Sequence, residues 1–576
     1  PTGFDCDKEA FLGAYGSVSR PQAAAHGKSR MSDAACGDPV ASLSREIEMS
    51  PLGQEELVFL LGTAGTRAEA VELVQRYWSP GAGFDSLGEM KARWDELLAS
   101  PQVETPDPAF DVMVNVWLKY QALSGRIWGR AGYYQPGGAY GFRDQLQDSQ
   151  IFLGLGRPEQ TLAQLLLHAR HQFADGTVQH WWHPLAEEGP RTGVSDDLLW
   201  LPFVACQYVR ETGDLDPLGQ QVPFLDEGQG TLYEHCTRAI ERALLRFSPR
   251  GLPLIGDGDW NDGLSSVGRS WRGESVWLAH FLHFVLNEFA ALARHSGDRA
   301  TADRYVEGAG GLRESINAYA WDGEWYVRAT DDAGRVLGSH ACEEGRIFLN
   351  PQTWAVIAGT ASPERAAAAM QAVDQLLNRE YGPVLCWPAY SQPDPDVGYL
   401  SRYAPGVREN GGTYTHAATW AVLAYSLLGQ GEKAYRTWCK LNPVLRGQDP
   451  ALYQAEPYVT PGNVAGPESP CFGQGGWTWY TGSAAWLFKV ALEGILGVRP
   501  QMEGLLVRPC LPNHWPGYRL RRPFRGALYE IEVERRPDAA VARTLTVDGA
   551  TISGELVPPF ADGRVHKVHV VLGRGL

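Results

Sequence analysis

The chain has no block of lysine or arginine, no CxxC pair, and no uninterrupted apolar run of about 18 residues. Each absence removes a class of function. With 51 Lys and Arg against 67 Asp and Glu, the net charge is −16, and there is no basic stripe to follow a phosphodiester backbone. Nucleic acid is therefore not an expected partner. The nine cysteines stand singly, at Cys6, Cys36, Cys206, Cys236, Cys342, Cys386, Cys439, Cys471 and Cys510. An odd, unclustered set argues against a disulfide frame or a zinc site and for reduced thiols in the cytosol. The lack of a long apolar run argues against membrane contact by this segment. The chain also lacks a secretory leader and an initiating Met, opening Pro1-Thr2-Gly3. That opening reads as the interior of a domain, so a piece of a longer polypeptide is expected.

What is present fits a large globular protein. At 576 residues the chain can bury a sizeable core and hold more than one domain. Residues 1–65 carry short segments, at 44–49 and 56–61, that read as the closing strands of a β-sandwich whose beginning is missing. Residues 66–104 read as a helical linker. Between 105 and 498 apolar residues recur at i, i+3 and i+4 in eleven segments, with a twelfth helix expected at 143–153. About twelve helices separated by long Gly/Pro/Trp-rich loops fit an (α/α)6 barrel, a toroid of six helical hairpins. A hairpin is expected at 324–337. Residues 499–576 read as a small C-terminal β-domain of antiparallel strands.

The loops carry the chemistry. Gly256-Asp257-Gly258-Asp259-Trp260-Asn261-Asp262-Gly263 sets three carboxylates and a tryptophan in a glycine-rich turn. An indole face stacks on a pyranose, and a carboxyl in poorly solvated surroundings keeps its proton near neutral pH, as a general acid must. The bland reading is an Asx-rich surface turn. A calcium loop fails on spacing, since Asp262 stands where the glycine belongs and Gly268 where the closing Glu belongs.

Four further loops surround it. Tyr133-Tyr134-Gln135-Pro136-Gly137-Gly138-Ala139-Tyr140-Gly141-Phe142-Arg143-Asp144 delivers an Arg–Asp pair into a helix start. Asp accepts from vicinal sugar hydroxyls and Arg donates to their oxygens, although a local salt bridge at a helix cap is the alternative. His180-Trp181-Trp182-His183-Pro184 reads as aromatic subsite lining rather than metal ligation, for want of a third ligand. Ser195 before Asp196-Asp197 reads as a helix N-cap. Arg408-Glu409-Asn410-Gly411-Gly412-Thr413-Tyr414-Thr415-His416 and Trp479-Tyr480-Thr481-Gly482-Ser483 both run into helices. Hydroxyls and free N–H groups at a helix start cradle an oxyanion, and a histidine adds a charge-assisted donor. No metal site is expected.

Together these motifs resemble the inverting disaccharide phosphorylases of glycoside hydrolase family 94, closest to the branch of cyclic β-1,2-glucan synthases and β-1,2-oligoglucan phosphorylases. The resemblance runs from about residue 105 to the end, and the opening resembles the late part of that family's N-terminal sandwich. It implies that Asp262 is the general acid and that Asp144 holds the donor glucosyl unit beside Trp260. It further implies that Arg143, Arg408 and Glu409 bind substrate, and that His416, Thr481 and Gly482 bind phosphate. Cellobiose-type members carry Lys where this chain has Arg408, which favours the β-1,2 branch.

The expectation is inverting phosphorolysis of β-linked oligosaccharides to α-glucose 1-phosphate. Inorganic phosphate is a co-substrate, with no cofactor, and Asp259 is the next candidate acid. The rivals are an inverting hydrolase with Glu409 as base, or a non-catalytic carbohydrate-binding or chain-length-controlling domain of a glucan synthase. The expected partners are a β-linked oligosaccharide and phosphate, with a homodimer left open. The expected place is the cytoplasm, or the cytosolic part of a larger membrane-associated synthase.

Overall fold

A computed structural model of the chain describes residues 1–33, 37–130, 138–536 and 543–573. The chain divides into two compact units, Pro1–Trp94 and Asp95–Leu576.

In the first unit, strand Gly3–Asp7 pairs antiparallel with Pro39–Ser44. Buried Asp5 accepts from the backbone of Arg30 and Ser32 and from the Ser32 hydroxyl, which fixes the crossing. Thr66 caps the helix Arg67–Tyr77 by accepting from Glu69 N. The strands expected at 44–49 and 56–61 are not formed: pairing stops at Ser44, and 56–61 has no regular structure. No described neighbour runs alongside either segment, and an isolated strand has no ladder to hold it.

The second unit is helical in its middle and β at its end. Its helices are α1 (residues 108–128, wound partly as π-helix), α2 (Phe142–Gly154), α3 (Pro158–Ala169), α4 (Trp200–Thr212), α5 (Leu232–Leu244) and α6 (Val276–His295). They continue with α7 (Arg299–Tyr319), α8 (Leu349–Ile357), α9 (Pro363–Ala372), α10 (Thr415–Leu427), α11 (Gly431–Leu441) and α12 (Ser483–Val490). The segments read from periodicity are all helical, including the one expected at 143–153. The even-numbered helices touch in a closed cycle, α2 to α4, α6, α8, α10, α12 and back to α2. The odd-numbered helices each lie against a member of that cycle.

The two sets differ in pattern as they differ in place. Every residue of α10 from Thr415 to Ser426 is buried, as suits a helix enclosed on all sides. In α5 only Leu232, His235, Cys236, Ala239, Ile240 and Ala243 are buried, a single stripe. α6 is long and apolar enough to cross a membrane by length and composition, but 78% of its most apolar stretch is buried inside the protein, as in a core helix. Trp277, Trp354, Trp420 and Trp486, from α6, α8, α10 and α12, pack together with almost no exposure. Much of the tryptophan content therefore belongs to the core.

Two small sheets close the chain. One has the order Ala550–Thr551, Arg543–Val547, Val565–Leu572, Ala527–Arg535, Gly517–Phe524, Gln102–Glu104. The other joins Val498–Gln501, Gly504–Val507 and Leu556–Val557. Two features correct the expectation of an antiparallel C-terminal domain. Ala527–Arg535 and Val565–Leu572 run parallel, because the chain crosses over through 543–557 between them. The edge strand Gln102–Glu104 comes from before the helices. The hairpin at 324–337 forms as Ala329–Thr330 against Val336–Leu337, with Glu274–Ser275 as a third strand.

Candidate active site

Short β-pairings tie the loops of interest together before each enters its helix. Tyr140–Gly141, ahead of α2, pairs with Trp181–Trp182. Val194 bridges to Gly256 and Gly258 of the Asp-rich turn. Thr413–Tyr414, ahead of α10, and Gly475–Thr478, ahead of α12, flank the same strand Pro461–Val464. Residues 133–137 of the first loop lie outside the described residues, as does Cys36. The other eight cysteines are free thiols.

The three carboxylates of the Asp-rich turn have separate fates. Asp257 accepts from Gly193 N at 2.6 Å and holds the neighbouring loop. Asp259 is fully buried, paired with Arg328 at 2.6 Å and accepting from the Ser275 hydroxyl at 2.6 Å. Both its oxygens are engaged inside the core, and none of the side chain is exposed. Asp262 faces outward, with its side chain 69% exposed. Gly256, at φ +59°, permits the turn, because a Cβ there would lie 2.4 Å from Gly193 O.

Asp262 accepts from Arg143 Nη2. The same guanidinium donates through Nη1 to Asp196 at 3.2 Å and to Asp259 O at 3.0 Å, with Asp197 at 3.8 Å. The apolar, poorly solvated acid read from the sequence is thus corrected: Asp262 is exposed and salt-bridged. Ser195 is not a cap either; its hydroxyl donates to Gly258 O at 3.0 Å and pins this loop to the Asp-rich turn. Asp196 and Asp197 instead compensate Arg143, and Asp196 also accepts from Trp200 Nε1 at 2.9 Å.

Charge crowding shifts several of these groups. Burial, opposed by Arg143 and reinforced by Asp197, pushes the Asp196 carboxyl up to about 7. Burial works against a charged His180, but Asp197, 2.7 Å from its Nδ1, raises it to about 9. Burial, and then the charge of Asp262, push Glu409 up to about 7. Glu409 accepts from Gly263 N at 2.7 Å and from Asn261 Nδ2 at 3.2 Å. It therefore grips the backbone of the turn that carries Asp262.

The residues expected to hold the anion lie beside this cluster. Trp260 lies 4.8 Å from the His416 ring and 4.5 Å from Trp420. It is 7% exposed, buried rather than an open stacking platform. A Cβ on Gly482 would come within 2.8 Å of His416 Nδ1, so the glycine is what lets helix α12 approach. The Thr481 hydroxyl is 2.6 Å from that of Ser483. His416 Nε2 is buried without a partner. Burial depresses its imidazole to about 3, with Asp144 opposing. Two buried cations stand nearby: Arg126 donates to Asp148 at 2.6 Å, lies 3.6 Å from Asp144 and stacks over Tyr480 at 4.4 Å. Arg130 donates to the Tyr480 hydroxyl at 2.9 Å.

Of the residues named from sequence, Arg143, Asp144, Trp260, Asp262, Glu409, His416, Thr481 and Gly482 come together here. Arg408 adjoins them at φ +51°, its guanidinium sandwiched between Tyr403 (4.9 Å) and Trp477 (4.3 Å). His180 and His183 do not converge: His183 is exposed and pairs through its backbone with Glu188. His168 and His171 are buried in the core, His171 stacked on Trp182 at 3.7 Å. Among the described residues no group of three metal-ligating side chains is gathered.

Residues 93–497 match the glycosyl hydrolase 94 superfamily catalytic domain, and residues 1–80 match the glycosyl hydrolase 94 supersandwich domain. The chain belongs to the glycoside hydrolase 94 family. Within that family it is 40% identical over 560 residues to the cyclic beta-(1,2)-glucan synthase NdvB of Rhizobium meliloti (strain 1021), covering 92% of this chain and 20% of the synthase. It is 35% identical over 575 residues to solabiose phosphorylase of Paenibacillus borealis, covering 99% of this chain and 73% of that one. The chain thus spans one fifth of the synthase. In fold alone, this glycoside hydrolase 94 chain resembles the crystal structure of the family 78 rhamnosidase of Bacillus sp. GL1. The TM-score is 0.54 at 13% identity, over 82% of this chain and 44% of that one.

Proposed function

We propose that this chain catalyses inverting phosphorolysis of β-glucosides, with β-1,2-linked gluco-oligosaccharides as substrate and inorganic phosphate as co-substrate. One observation carries the reading. Trp260, two residues from Asp262, packs against His416 at 4.8 Å, which supports reading the turn that bears the acid and the residues expected to hold the anion as one site. Asp262 gives its proton to the glycosidic oxygen as the C1–O bond breaks. A phosphate oxygen, drawn by His416, Thr481 and Gly482, bonds to C1 from the opposite face. The products are α-glucose 1-phosphate and a glucan one unit shorter, and the reverse reaction extends the glucan. Arg143 and Asp144 hold the glucosyl hydroxyls.

The closed helix cycle supports reading the helical region as an (α/α)6 barrel, with 1–65 as a sandwich remnant, 66–104 as a linker and 499–576 as a β-domain. The identity to a cyclic β-1,2-glucan synthase supports the linkage. The hydrolase rival needs Glu409 free to activate water on the far face of the sugar, roughly 6.5–9.5 Å from the acid. Glu409 instead spends both oxygens on Asn261 and Gly263 of the acid's own turn.

The deciding assay offers β-1,2-, β-1,3- and β-1,4-linked glucosides with and without phosphate. Glucose 1-phosphate is expected from the β-1,2 substrate only when phosphate is present. Release of reducing sugar at an equal rate without phosphate would make the protein a hydrolase.

A further inference from the structure

A cavity of about 360 Å³ lies between the C-terminal end of α10 and the closing sheets, and none of the candidate active-site residues lines it. Four arginines do: Arg499, Arg508, Arg535 and Arg543. Arg535 is largely engaged, donating to the carbonyls of Pro512 at 2.9 Å and Asn513 at 2.7 Å. Arg543 pairs with Glu555, which also lies 3.7 Å from Arg508 Nε. No described residue gives Arg499 a hydrogen bond or ion pair, and its Nε is buried with no acceptor. The Nε groups of Arg535 and Arg543 are buried and unpartnered in the same way.

Among the described residues the four guanidinium groups are answered by Glu555 and, acting on Arg499, by Glu493, which is itself paired with Lys489 at 2.6 Å. Burial and the like charge of Arg508 hold Arg499 and Arg543 below the ordinary range, with Glu493 opposing at Arg499. Uncompensated charge out of water is unfavourable, and an anion in the cavity would relieve it. Guanidinium forks match the oxygens of a phosphoryl group. The volume is at the lower end of the range for small-molecule sites, about 300–1,000 Å³, and leaves room for more than a lone anion. We propose that this cavity binds a phosphorylated small molecule the size of a hexose phosphate.

The site stands apart from the reaction proposed above, and its test does not depend on turnover. Glucose 6-phosphate and, separately, inorganic phosphate would be titrated calorimetrically into the full chain. Glucose 6-phosphate should bind one to one, more tightly than inorganic phosphate. Arg499→Met should weaken it about tenfold or more. Arg508→Ala, at a side chain 62% exposed and so safe for folding, should also weaken it. His416→Ala should leave it unchanged. Three results would overturn the proposal: no binding of glucose 6-phosphate, binding lost with His416→Ala but kept in both arginine variants, or inorganic phosphate binding the His416→Ala variant as tightly as glucose 6-phosphate does.

Discussion

Arg143 reaches across 119 residues of chain to donate to Asp262. The contact is made through Asp262 Oδ1, so the hydroxyls of an incoming glucosyl unit must compete for Arg143 at this carboxylate. Asp262→Asn should lower kcat about 10²–10⁴-fold with oligosaccharide binding kept. An aryl β-glucoside, whose leaving group needs no proton, should lose far less. Equal losses on both substrates would argue against proton donation.

Arg143 compensates several carboxylates at once and is itself 5% exposed. Arg143→Met strands Asp196 and Asp197 in the interior. The expected cost is about 3–5 kcal/mol of stability, the scale for breaking a buried pair by removing one partner. Urea unfolding measures it. Asp196→Asn in the same background should restore part of the loss, because the uncompensated charge is then gone.

The sequence revealed the helices because buried faces impose a period, and it revealed the site loops because they crowd Gly, Asp and Trp. It did not reveal pairings between distant loops. Ser195-Asp196-Asp197 reads as a cap in sequence, and only Arg143, 53 positions away from Asp196, shows what the carboxylates serve. Asp259 and Asp262 look interchangeable in sequence until Arg328, 69 positions from Asp259, claims one of them. The parallel pairing of 527–535 with 565–572 depends on a crossover that alternation along a strand does not encode. The depressed imidazole of His416 comes from burial, which neighbouring residues in the chain do not announce.

His416, His168 and His280 are all held near 3 by burial. Their folded values lie below the unfolded 6.5, so the folded state takes up fewer protons. Stability from these groups is present above about pH 6.5 and is lost as pH falls below it. Denaturation midpoints should drop steadily from pH 7 to pH 5. At the site, Gly482→Ala puts a methyl within 2.8 Å of His416 Nδ1. That variant should raise KM for phosphate by about tenfold or more while KM for the oligosaccharide moves little, since only the anion seat is displaced.

Glu409 works in the opposite sense. Its folded pKa, about 7, lies above the ordinary value near 4.3, so the folded state holds the extra proton. Its contribution to stability is full below about pH 4.3 and is lost as pH rises through 7, amounting to about 4 kcal/mol. Burial and Asp262 cause the rise, while Arg408 and the donors Asn261 and Gly263 oppose it. Glu409→Gln should remove this slope, so wild type loses stability relative to the variant as pH goes from 5 to 8. Urea unfolding at intervals from pH 5 to pH 8 measures it, and equal slopes in the two proteins would argue against a raised Glu409 carboxyl.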